Sequence, residues 1–381
     1  MRSIRQRHLA SSLLAALLLF ATDITVMACP FCDAVRPTWS QLREPAQIVA
    51  LAEVTVTDAQ RATLRLVEVA HGHKVPGKVQ ISPSAKVSPG DLILLFGQTT
   101  ASSGAEAEQI QWSDLPISKP AYDYLRAAPD LRRPPEERLR YFARFLEDAD
   151  EQIAEDAYME FAHAPYSDVA AIGDTFDGDL LKTWLKDRGV PDDRKGFYAL
   201  ALALSRGSKQ DQQENVQFLR DWVDNPGDDF RRGLDGVMGA LLLAEKNTAL
   251  ELIREKFLAN PQAANGHVRN ALSAVRFYYE FGEQPDTEAI ASAVACLLDR
   301  PAFATEAIID LARWEAWDKL PKVVSLFDRD GYDVSTRHAV VAYLLTSDKD
   351  DAAVSLERLR ELDADFVNAS EERFLLFGGI R

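Results

Sequence analysis

The chain has 381 residues, 47% of them hydrophobic, and a formal net charge of -16 at pH 7. That is enough apolar material for two domains, or for one domain and a repeat array. So acidic a balance disfavours nucleic acid and anionic lipid head groups as partners.

At the amino terminus Arg2, Arg5 and Arg7 precede an apolar run from Leu9 to Phe20, and Val26 and Ala28 occupy the two small-residue positions that a signal protease reads. This order predicts an export signal over residues 1–28, a mature terminus at Cys29, and an extracytoplasmic address, periplasmic or secreted. The apolar run is about a dozen residues, short of the ~20 that span a bilayer. Residues 1–28 carry three Arg and one Asp, so their removal takes the charge from -16 to -18. No later segment reads as a membrane span; Val237 to Ala244 reads as part of a buried helix.

Residues 47–117 read as five short strands. Ile48, Ala50, Ala52, Val54 and Val56 alternate as one face of a half-buried strand requires. In the next run Ala62, Leu64 and Leu66 give way to Val67 and Val69, the phase change of a β-bulge. His71 to Gly77 is a turn, Val79 and Ile81 mark a short strand, and Pro89-Gly90-Asp91 is a second turn. Leu92 to Phe96 is a continuous buried strand, Thr99 to Glu108 a polar loop, and Ile110, Trp112 and Leu115 a closing strand. Five strands in about 70 residues suit a small barrel better than a sandwich of ~7.

From Lys119 the period changes to that of helices. Leu139, Phe142 and Leu146 share one face, Ile153, Ala157 and Phe161 the next, and Ile290, Val294, Leu297 and Leu298 repeat the pattern. Ser208 with Asp211, and Thr248 with Glu251, have capping-box spacing. Prolines 165, 191, 226, 261, 285, 301 and 321 cut the region into pieces of one or two helices each. The expected architecture is α+β and multidomain. An export signal (1–28) is followed by a small OB-like β-barrel (29–117), a bridging segment (118–133) and an α-helical solenoid of HEAT or armadillo type (134–381).

Two resemblances bear on this. The Cys-x-x-Cys terminus, the strand Gln47 to Val54, Val67-Glu-Val-Ala-His-Gly, Gly77-Lys-Val-Gln-Ile and Gly90-Asp-Leu-Ile-Leu-Leu-Phe resemble, in that order, the barrel of the tissue-inhibitor and netrin-module family. That likeness covers residues 29–117 and implies an OB-like fold. It also implies a protease-inhibitor reading in which the terminal amine and carbonyl of Cys29 chelate an enzyme's metal. Further on, Glu137 to Asp148, Asp156 to Tyr166, Leu234 to Leu243 and Asp310 to Trp317 are similar to uncharacterised exported HEAT-like proteins of planctomycete-type bacteria. This second likeness covers most of residues 115–375 and implies a helical-repeat fold and export.

Cys29-Pro30-Phe31-Cys32 is the sharpest chemical motif. It reads first as a structural disulfide or tether, then as lipid attachment at Cys29, then as a redox or metal centre. Asp33 after Cys32 excludes haem attachment. Cys296 shares a face with Ala289 and Ala293 and reads as a buried free thiol. His71 and His73 are a two-residue metal candidate without a third ligand, and His163, His267 and His338 are scattered. Asp174 to Asp179 and Asp328 to Asp333 resemble calcium loops but lack the Glu at the twelfth position; they read as capped turns. Trp314 and Trp317, three apart, read as packing residues before they read as a partner-binding pair. No cofactor site or catalytic motif stands out. The leading expectation is an exported, non-enzymatic binding or scaffold protein with a protein partner. The alternative is a thiol-redox or metal-handling module at Cys29 and Cys32.

Overall fold

The computed structural model describes residues 31, 36–58, 60–72, 75–100, 109–225 and 233–377. Residues 1–28, read from sequence as an export signal, and Cys29, Cys32 and His73 lie outside the described residues. The protein combines one five-stranded antiparallel sheet near the amino terminus with a long succession of helices, an α+β fold.

A short helix α1 (Trp39–Arg43) precedes strands β1 (Ile48–Thr57), β2 (Ala62–His71), β3 (Lys78–Ile81), β4 (Leu92–Thr100) and β5 (Gln109–Pro116). Their order across the sheet is β3-β2-β1-β4-β5. The bulge falls where the phase change put it: Leu51 pairs with Glu68 and Ala52 with Leu66, leaving Val67 as the extra residue. A second irregularity leaves Ala70 between Val69 and His71.

Central strand β1 departs from the half-buried expectation, because both of its faces are covered. Val49 and Leu51, with Leu94 and Phe96 of β4, face the helices, while Ala52 and Val54 join Ile93 and Leu95 in a second cluster. The unbroken run Ile48 to Ala52 is the pattern of a doubly covered strand. The ladder ends on β3 and β5, which do not pair among the described residues, so the five-stranded sheet stays partly open. Strand β3 has four residues, all paired with β2. The segment after it reaches β5 through side chains instead, with Ser84 donating to Asp114 Oδ2 from its N–H and its hydroxyl, both at 2.9 Å. Val79 and Ile81 of β3 share the inner cluster with Trp112 of β5, so the sheet is rolled without closing. Trp112 lies over its cross-strand partner Gly97, where an added Cβ would come within 2.7 Å of the ring.

The helices that follow are α2 (Lys119–Ala127), α3 (Pro135–Phe142), α4 (Glu151–Ala162), α5 (Tyr166–Ala171), α6 (Gly178–Lys186), α7 (Asp192–Leu204), α8 (Lys209–Asp224) and α9 (Leu234–Glu245). Then come α10 (Asn247–Ile253), α11 (Asn265–Phe281), α12 (Thr287–Val294), α13 (Pro301–Arg313), α14 (Leu320–Val324), α15 (Val334–Thr346) and α16 (Asp350–Phe377), the last kinked at Asp363. Ser208 and Asp211 form the expected capping box on α8. Thr248 does not cap: α10 already begins at Asn247, after Lys246 turns the chain at φ 52° directly behind α9. Asp177 and Asp333 cap α6 and α15, as capped turns require. Some helices pack on their next-but-one neighbours, α7 on α9, α9 on α11, α10 on α12 and α13 on α15, and others on the next in sequence, α6 on α7, α8 on α9 and α15 on α16.

The segment expected to bridge two domains belongs to the core. Ala121, Tyr122, Tyr124, Leu125 and Ala128 are buried in one cluster that runs from Val49 and Leu94 of the sheet to Val367 of α16. Phe31 joins that cluster far from the sheet, its ring edge-on to Phe277 of α11 at 4.8 Å and against Gly196 and Gly239. A fragment beginning at Pro134 therefore loses Phe31, Trp39 and Tyr124 together. Thermal melts followed by circular dichroism should show it markedly less stable than the full chain; equal melting temperatures would mean that two separate cores exist.

Candidate functional site

The amino-terminal segment is fastened to the helices by one side chain after another. Arg36 forms an ion pair with Glu155, and its carbonyl lies 2.9 Å from His163 Nε2. Thr38 caps α1 in a reciprocal box with Gln41. That turn presents the Trp39 N–H to Asp156 Oδ1 at 2.7 Å, while the Tyr124 hydroxyl donates to Oδ2 at 2.9 Å. Asp156, on α4, is 4% exposed. Burial pushes its carboxyl up to about 7, helped by Glu160 one turn on and opposed by the Trp39 and Tyr124 bonds. Glu160 is paired with Arg138 at 2.6 Å, and its Oε1 is buried without a hydrogen-bond partner among the described residues. The signal for this buried pair was present in the sequence. Asp156 and Glu160 stand three and seven residues after Ile153, on the apolar face of their helix.

Beside this network a cleft of about 530 Å³ opens between sheet and helices, within the ~300–1,000 Å³ usual for small-ligand sites. Ser40, Arg43 and Glu44 of the α1 segment form one wall, and Ala46, Val49, Ala70 and His71 of the sheet a second. Tyr122, Leu125, Arg126, Asp130, Leu131 and Arg132, from α2 and the turn after it, complete the cleft. Arg43 closes the end of α2, donating from Nη1 to the Leu125 carbonyl at 2.9 Å and from Nη2 to the Pro129 carbonyl at 3.4 Å. Arg132 is held by Asp130 through two bonds of 2.9 and 3.0 Å, and Arg126 by Glu68 at 3.2 Å. The Ser40 and Tyr122 hydroxyls are buried with no partner at hydrogen-bond distance among the described residues. Burial, with the Glu68 carboxylate nearby, pushes the Tyr122 phenol up to about 12.

Of the residues singled out from sequence, Cys29 and Cys32 lie outside the described residues. His71 is placed at the cleft, at the end of β2. Among the described residues no three His, Cys, Asp or Glu side chains gather as a metal site. Cys296 is half-buried, not buried: it falls in a 3₁₀ turn over Ala295–Asp299, with Sγ 3.7 Å from the Ser292 carbonyl. Trp314 and Trp317 do not share a helix face, because α13 ends at Arg313 and Glu315 turns the chain at φ 55°. Trp314 stacks on Tyr279 of α11 at 4.6 Å, and Trp317 meets Tyr343 of α15 edge-on at 5.0 Å. They tie α13 and its turn to the helices before and after, which is packing.

No family model matches the chain, and no curated protein matches it. Among solved structures, human deoxyhypusine hydroxylase in complex with glycerol is similar over 63% of this chain and 96% of its own, at 15% identity and a TM-score of 0.28. A likeness that slight carries neither fold nor activity across.

Proposed function

We propose that the protein is an exported, non-enzymatic binding or scaffold protein that meets a protein partner through a HEAT-like helical-repeat surface. The observation that carries this reading is the packing order of the helices. α7 rests on α9 and α9 on α11, as α13 rests on α15, beside sequential contacts such as α8 with α9, and stacked helices of this kind present long surfaces on which a partner can lie. The order of basic head, short apolar run and small-residue exit before Cys29 supports the export part of this reading. No helix among the described residues is long and apolar enough to cross a membrane.

Peptide mapping of the protein recovered from a cell envelope tests the export step. A terminus at Cys29 is expected, and an intact Met1 would overturn the address. The second reading, thiol-redox or metal chemistry at Cys29 and Cys32, makes a different demand on the same sample. A working centre needs one thiol well below the ordinary ~8.5. Asp33 opposes that, because a neighbouring carboxylate raises a thiol's pKa. Slow alkylation at neutral pH after reduction is therefore expected, and a Cys32 pKa below about 7 would replace the scaffold reading with a redox one.

A further inference from the structure

In a chain with 59 acidic and 43 basic residues, the cleft between sheet and helices collects Arg43, Arg126 and Arg132 in one place. Two of the three are spoken for, Arg132 by Asp130 and Arg126 by Glu68. Arg43 has no carboxylate partner within ion-pair distance among the described residues: the two bonds from its Nη atoms go to carbonyls, and Asp130 and Asp156 feel its charge only from farther away. Two of its five N–H donors are used, so three remain. Ser40 and Tyr122 add two buried hydroxyls with no partner at hydrogen-bond distance among the described residues, the second near the Glu68 carboxylate, an arrangement that costs stability unless something fills it. Ala46, Val49 and Leu125 supply an apolar wall.

We infer that this cleft binds a small monocarboxylate with an apolar body, its carboxylate held by Arg43 and by the hydroxyls of Ser40 and Tyr122. The charge balance selects a monoanion. Glu44 stands at the exposed side and Asp130 neutralises Arg132, so a phosphate or a polycarboxylate would bring more negative charge than the cleft offsets. A guanidinium matches a carboxylate in planar geometry. Tyr122 keeps its proton at neutral pH and so remains a donor. The wall of small and branched side chains takes an alkyl or aryl body by burial. This goes beyond the scaffold reading and does not depend on it.

The test is calorimetric titration of the mature chain with hexanoate and with phenylacetate, each compared with its neutral amide and with inorganic phosphate. Saturable binding of at least one acid is expected, with its amide and phosphate weaker by tenfold or more, about 1.4 kcal/mol. Arg43→Gln should weaken that binding by at least tenfold, Arg43→Lys by less, and Tyr122→Phe severalfold, with circular dichroism confirming that each variant is folded. Should Arg43→Gln fail to fold, Arg43→Lys and Tyr122→Phe carry the decision. No saturable binding of either acid, amide or phosphate binding as tight as the acid, or affinity unchanged in the folded variants each overturns the inference. None of these outcomes touches the mapped terminus or the thiol pKa, so the two readings fail separately.

Discussion

Gly236→Ala should lower the stability of the protein by about 2–3 kcal/mol or more, read as a fall in the urea midpoint at unchanged slope. In an ordinary helix interior the same change would add about 1 kcal/mol, because glycine is the costlier residue there. Here the added Cβ has nowhere to go. It would stand 2.3 Å from both the Cα and the carbonyl oxygen of Gly196, on the neighbouring helix α7. Both atoms are backbone, so no rotamer change relieves the clash; α7 and α9 must separate. Separation would open the seat of Phe31, whose ring already lies where a Cβ on Gly239 would come within 2.7 Å. The comparison is Gly77→Ala, where an added Cβ meets nothing within 4 Å and little change is expected. Stabilisation by Gly236→Ala would show that α7 and α9 do not approach so closely in solution.

The second large effect is a dependence on pH that belongs to Asp156. Its carboxyl titrates near 3.8 in an unfolded chain and at about 7 when buried. The folded state therefore holds a proton that the unfolded state has lost. The stabilising contribution is fully present below about pH 4 and disappears as the pH rises through about 7. The amount at stake is a few kcal/mol, limited by the Trp39 and Tyr124 bonds that favour the charged form. Asp156→Asn has the same shape, accepts from the Trp39 N–H and can donate to the Tyr124 oxygen, but carries no titratable group. Its stability relative to the natural chain should rise between pH 4 and pH 7 and then level off. Urea melts of both proteins at pH 4.5, 6 and 8 decide the matter, and parallel curves for the two would remove Asp156 as the source.

Local elements were legible where one residue's chemistry decides them. The Val67 bulge could be read from a phase change in apolar residues, and the Ser208 box from two side chains three apart, because each involves only neighbours along the chain. Thr248 and Glu251 have the same spacing and do not cap, since the left-handed turn at Lys246 starts the helix earlier. Trp314 and Trp317 fell on one assumed helix until a single turn at Glu315 sent them to different neighbours. The cleft had no sequence signal. Its walls come from residues 40–49, 70–71 and 122–132, and no spacing rule joins an arginine on a five-residue helix to a tyrosine about 80 positions away.

By itself, then, the sequence determined the order of strands before helices, the five strand positions, the caps at Asp177, Ser208 and Asp333 and the acidic balance, all set by nearest neighbours and periodicity. Only the tertiary structure decided that the sheet stays partly open and that both of its faces are covered. It also decided that Ala121, Tyr122, Tyr124, Leu125 and Ala128 lie in the core, and that Phe31 is seated on Gly196 and Gly239. The physical reason is the same in each case. Burial and close approach depend on which surfaces meet, and surfaces far apart in the chain meet only when the whole core is assembled.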